Sequence, residues 1–186
     1  KEMNVKIVLT GLQNSGKTSI TNQLARKQFS DSYISTTSTQ FQNFSYQIKN
    51  FQFQVKLWDI SGNGITQITS AYFRDADAIM VVADSSDVQL EKNTANLMTD
   101  IKIFLKQRKM IPLILILNKC DIADVSESVI DELQKQYRFD LAFKVSAKNG
   151  AGLKEALNGT LLNVEYNEAE LSREESNALL ESMNLG

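Results

Sequence analysis

The chain has 186 residues, 42% of them hydrophobic and 23% charged, with a formal net charge of −2. That is enough for one domain around one buried core, and it excludes disordered and collagen-like classes. The charge balance gives no electrostatic reason for a nucleic-acid or membrane-surface partner. Histidine is absent, which removes the commonest general base and metal ligand. The single cysteine, Cys120, forbids an intramolecular disulfide and leans towards a reducing, cytoplasmic compartment.

In chain order, residues 5–10 form a short apolar run that ends in a glycine-containing turn, and residues 18–27 read as a helix. Residues 41–48 and 51–58 alternate apolar and polar side chains around Lys49 and Asn50, which predicts a hairpin with one buried face. Continuous apolar runs at 78–83 and 111–117 fit strands covered on both faces. Between them, Leu90, Leu97, Ile101 and Leu105 recur at helical spacing over 90–108. A helix over 126–136, a strand over 141–145 and a helix over 152–162 follow. Six strands alternating with about five helices imply an α/β fold: a mostly parallel sheet flanked by helices, with ligands at the carboxyl ends of the strands.

The expected division is one α/β domain over 1–166 and a polar tail over 167–186. In the tail, Ser172 and Glu175 have the spacing of a capping box ahead of a short helix carrying Ala178, Leu179, Leu180 and Met183. Such a helix either packs on its own domain or serves as a docking element for a partner.

The chemistry begins at Gly11-Leu12-Gln13-Asn14-Ser15-Gly16-Lys17-Thr18, a full match to G-x-x-x-x-G-K-[ST] between a strand and a helix. Glycines there let the backbone curl so that its N–H groups converge on phosphates, and the following helix adds its positive end. Gln13, Asn14, Ser15, Gly16, Lys17, Thr18 and Ser19 form the expected phosphate-binding set. Lys17 would contact the β- and γ-phosphates, and Thr18 would ligate Mg²⁺. Asn118-Lys119-Cys120-Asp121 closes the strand at 111–117, and the Asp121 carboxylate can accept two hydrogen bonds from the N1–H and 2-amino group of guanine. Adenine lacks that pair, which sets aside an ATP-dependent kinase or ATPase. Ser146-Ala147-Lys148 follows the next strand and can bring a backbone N–H to the guanine O6.

With these motifs in this order, the chain resembles the small GTPases of the Ras superfamily, nearest the Rab branch, over roughly residues 4–163. The resemblance implies a P-loop NTPase fold, GTP or GDP with Mg²⁺ as cofactors, and hydrolysis of GTP to GDP. It places Thr36 on Mg²⁺ and the γ-phosphate, Phe29 against the base, Asp59 on Mg²⁺ through water, and the Gly62 N–H on the γ-phosphate. It also implies a second-switch helix through Ile68-Thr69-Ser70 and an effector surface from Thr36-Phe41, Trp58 and Tyr72.

Three departures matter. The family has a glutamine after the second-switch glycine, where it orients the attacking water; this chain has Asn63, in a stretch one residue shorter than the Rab pattern. Gln13 stands where the family has a small residue facing the γ-phosphate, so it either crowds an incoming arginine or replaces the missing amide. The catalytic set is thus Lys17, Gly62, Asn63 and Gln13. Third, the last residues hold no cysteine for prenylation, so either the chain is truncated or it does not use a lipid anchor, and none is visible in this sequence. Two functions follow as expectations: a switch with slow GTP hydrolysis that signals through its loops, or a hydrolysis-deficient, GTP-bound docking subunit of a larger assembly. Either would be cytoplasmic, or peripheral to an organelle or assembly.

Overall fold

The computed structural model describes residues 2–25, 39–60, 71–105, 111–166 and 172–181. Its centre is a six-stranded sheet of β1 (Glu2–Gly11), β2 (Gln40–Ile48), β3 (Phe51–Asp59), β4 (Ala78–Asp84), β5 (Leu113–Asn118) and β6 (Leu141–Lys144). The spatial order is β2-β3-β1-β4-β5-β6. Only the β2–β3 hairpin is antiparallel; every other neighbouring pair is parallel. Five α-helices accompany it among the described residues: α1 (Lys17–Leu24), α2 (Leu90–Leu105), α3 (Glu127–Tyr137), α4 (Leu153–Asn163) and α5 (Arg173–Glu181).

Helices cover both faces because alternate residues of the central strands point to opposite sides. On one face Val5, Ile7 and Leu9 of β1, Met80 and Val82 of β4, and Ile114 and Ile116 of β5 meet Ile20 of α1 and Leu157 and Leu161 of α4. On the other, Val8, Ile79, Val81, Leu115 and Leu117 meet Met98 and Ile101 of α2 and Ile130 and Leu133 of α3. This double cover explains why β4 and β5 read as unbroken apolar runs, while β2, at the edge, alternates.

Several element ends move relative to the sequence, β5 among them, which begins at Leu113 rather than residue 111. Strand β1 starts earlier than residue 5, because Glu2, Met3 and Asn4 pair with Gln52, Phe53 and Gln54 and bury Met3 completely. The first helix, read over 18–27, spans Lys17–Leu24 with Ala25 at its end. At α5 the Ser172 backbone N–H donates to Glu175 (2.7 Å) and the Glu175 N–H donates to Ser172 Oγ (3.2 Å), the reciprocal pair of a capping box. Leu179 of that helix is 2% exposed and joins the cluster formed by β1, β3 and α4.

Candidate nucleotide-binding site

The phosphate loop leaves β1 at Gly11, where an added methyl would lie 2.2 Å from the Val82 carbonyl of the neighbouring strand. It then uses two left-handed residues, Asn14 (φ 63°) and Gly16 (φ 94°), to turn into α1. Asparagine tolerates that region better than most residues, and glycine has no Cβ to clash there. Leu12, Gln13 and Asn14 form the exposed rim of the loop, while Ser15 and Lys17 are buried beneath it.

Lys17 lies under the loop with its ammonium donating to the carbonyls of Gly11 (3.0 Å) and Leu12 (2.9 Å). Burial pushes its pKa down, and the nearby Asp59 carboxylate works against that shift. At the end of β3, Asp59 is 1% exposed. The Thr18 hydroxyl donates to its Oδ2, while Oδ1 is buried and has no hydrogen-bond partner among the described residues. Burial raises the Asp59 pKa, opposed by the Thr18 hydrogen bond and then by the Lys17 charge. A buried carboxylate oxygen without a partner is costly and calls for a cation or donor.

The base end is built from the loops after β5 and β6. Asn118 is a strut: its Nδ2 donates to the Ser15 carbonyl (2.9 Å), and its Oδ1 accepts from the Ala147 N–H (3.0 Å). The approach is close enough that a methyl at Gly16 would lie 2.1 Å from Asn118 Nδ2. Asp121 is held by the Ser146 hydroxyl at 2.6 Å, which fixes one carboxylate oxygen. The Ser146 N–H donates to Ala151 and the Ala147 N–H to Asn118, so Lys148 offers the N–H of that trio that takes no bond among the described residues.

Thus the phosphate-loop residues, Thr18, Asp59, Asn118, Lys119, Asp121 and Ser146-Ala147-Lys148 converge at the carboxyl ends of β1, β3, β5 and β6, as expected for a doubly wound sheet. The readings at Phe29, Thr36, Gly62 and Asn63, and the second-switch helix through Ile68-Thr69-Ser70, lie outside the described residues. Of the expected effector aromatics, Phe41 and Tyr72 both contact Trp58. Trp58 stacks on Phe41 with centroids 5.5 Å apart and tilts against Tyr72 at 5.4 Å. Phe41 remains 60% exposed. Lys6, which the motifs do not single out, places its ammonium 4.8 Å from the Trp58 ring. Asp84 is a second residue outside the motifs: it accepts from Lys119 Nζ at 2.6 Å.

A model of the Ras family matches residues 6–166. The chain belongs to the Ras family. Ras-related protein Rab-32D of Dictyostelium discoideum is 30% identical over 163 residues, covering 82% of this chain and 70% of that protein. Human Ras-related protein Rab-7L1 is 28% identical over 158 residues, covering 82% and 78%. Ras-related protein Rab-13 of Mesocricetus auratus is 30% identical over 157 residues, covering 82% and 76%. Identities at this level make the chain a divergent, Rab-like small GTPase.

Ras-family proteins bind GTP or GDP with Mg²⁺, and the residues present fit that pair. Lys17, the Gly16 turn and the start of α1 suit a polyphosphate. Thr18 and the unpartnered Asp59 oxygen suit a hard cation with oxygen ligands. Among the described residues no three acidic, cysteine or histidine side chains cluster to hold a metal by themselves. A magnesium ion here would depend on nucleotide phosphates for part of its shell, which is its usual habit.

Proposed function

We propose that this Rab-like GTPase is a guanine-nucleotide switch with slow intrinsic hydrolysis, which signals to effectors through the segment Thr36-Phe41 together with Trp58 and Tyr72. One observation supports nucleotide binding: the buried Asp59 Oδ1, without a partner among the described residues, beside Thr18 and Lys17 at the foot of the phosphate loop. Guanine preference rests on Asp121, anchored by Ser146. Thr18, Thr36 and Asp59 would hold Mg²⁺, which supplies charge stabilisation to the transferring phosphoryl group. Lys17, the phosphate-loop N–H groups and the Gly62 N–H of the second switch would add fixed positive charge, and Asn63 or Gln13 would supply the amide that orients water.

Slow turnover follows from Asn63. Its amide is that of glutamine on a side chain shorter by one methylene, roughly 1.5 Å. Misplacement near 1 Å costs on the order of a hundredfold in rate. Single-turnover GTP hydrolysis tests this: the wild type should be slow and Asn63→Gln about ten- to a hundredfold faster. An unchanged rate in Asn63→Gln would remove Asn63 as the cause.

The same Asn63 also favours a second reading, a GTP-loaded docking subunit. Intact GTP remaining on the purified protein through many hours at physiological temperature would move the assignment to that reading.

A further inference from the structure

We propose that Asp84 is a positioning residue of the guanine site, acting through Lys119. Asp84 ends β4 directly beside Asn118, its register partner on β5, so the two loops that leave these strands start side by side. Its carboxylate is anchored from both sides. Oδ1 accepts from the Ser86 N–H (2.9 Å) and the Ser86 hydroxyl (2.6 Å), and Oδ2 accepts from Lys119 Nζ (2.6 Å).

Lys119 lies in the left-handed region at φ 67° and stands in sequence between the strut Asn118 and Asp121, so holding its side chain helps to hold the loop that carries both. Its backbone is pinned as well: its carbonyl accepts from Ile122 (3.0 Å), and the next N–H, of Cys120, donates to Val145 (3.0 Å). With the main chain fixed, what remains free is a four-carbon stem with large rotamer entropy. An aspartate already immobilised by Ser86 removes that freedom before the nucleotide arrives. The ammonium keeps two further donors, and its charge is balanced at partial burial, with side-chain exposures of 25% for Lys119 and 21% for Asp84. This inference rests on guanine-nucleotide binding as proposed above.

The test is the dissociation rate of a fluorescent GDP analogue from the full chain in wild type, Asp84→Asn, Ser86→Ala, Lys119→Met and the Asp84→Asn/Lys119→Met double variant. Immobilising one rotamer-rich side chain predicts dissociation about three- to tenfold faster in Asp84→Asn, and a smaller acceleration in Ser86→Ala. Lys119→Met keeps the stem and removes the ammonium, so adding Asp84→Asn to it should change nothing more. A structural role without Lys119 would instead give additive effects. Equal rates in wild type and Asp84→Asn, slower release in Asp84→Asn, or additivity in the double variant would each overturn the role of Asp84 while leaving nucleotide binding intact. If the wild type fails to bind the GDP analogue, the nucleotide reading falls and this inference with it.

Discussion

Asn118 and Ser15 stand 103 positions apart in sequence, yet Asn118 Nδ2 donates to the Ser15 carbonyl at 2.9 Å. With the Ala147 N–H on its Oδ1, one side chain that is 2% exposed ties the phosphate loop to both base loops. Asn118→Ala would leave a buried carbonyl and a buried N–H unsatisfied. Each such group costs about 1–3 kcal/mol, so a loss of roughly 2–6 kcal/mol is expected in thermal or denaturant unfolding. Nucleotide release should accelerate in parallel. A loss under about 0.5 kcal/mol, the level of an ordinary surface change, would show that the strut is dispensable.

Gly16 offers a sharper steric test. It combines a left-handed φ of 94° with a space in which a methyl would meet Asn118 Nδ2 at 2.1 Å. Gly16→Ala should therefore push Asn118 away and distort the turn into α1, lowering nucleotide affinity by more than about tenfold in calorimetric titration. The left-handed cost alone is about 1–2 kcal/mol. Wild-type affinity in Gly16→Ala would mean the loop rearranges freely.

The unpartnered oxygen of Asp59 predicts the metal dependence. Chelating Mg²⁺ should speed GDP release from the wild type by roughly tenfold or more, the equivalent of losing about 1.4 kcal/mol. In Asp59→Ala, release should be fast with or without chelator. Thr18→Asn should weaken Mg²⁺ and nucleotide together, and Lys17→Ala should weaken nucleotide even at saturating Mg²⁺. If Asp59→Ala kept the full chelator response, the cation would be held elsewhere.

Helix α5 should belong to the folded domain, although a boundary near residue 166 is what the polar composition suggests. Leu179 shares a cluster with Phe53 and Leu161. Truncating a buried leucine to alanine costs about 2–5 kcal/mol. For a helix with one such anchor, the lower half of that range is expected for Leu179→Ala in thermal unfolding. No change in melting temperature would mean that the helix detaches before the domain unfolds.

Much of the fold and the site is legible in the sequence, for local reasons. The phosphate loop, the paired alternations around Lys49 and Asn50, the double-covered runs in β4 and β5 and the Ser172–Glu175 capping box are all fixed by neighbours within a few positions. What the sequence hides is non-local. Met3 extends β1 because β3 offers it a partner, not because residues 2–4 form an apolar run. Lys6 over Trp58 and Asp84 on Lys119 join segments with no shared motif, and neither side chain is unusual for its position. Asn118 is recognisable as part of the guanine loop, but its work as a strut becomes visible only with Ser15 and Ala147 in place.

Base selection tests the central claim most directly. Competition of GDP, GTP, XDP and ATP against a fluorescent GDP should be measured on the wild type and Asp121→Asn. GDP and GTP should displace the probe from the wild type, while ATP fails at about 10⁴-fold excess, the discrimination of a site whose buried polar groups would be left unpaired. Asp121→Asn should shift preference towards XDP. Displacement by ATP as readily as by GTP, or full guanine preference in Asp121→Asn, would contradict the assignment of the base site.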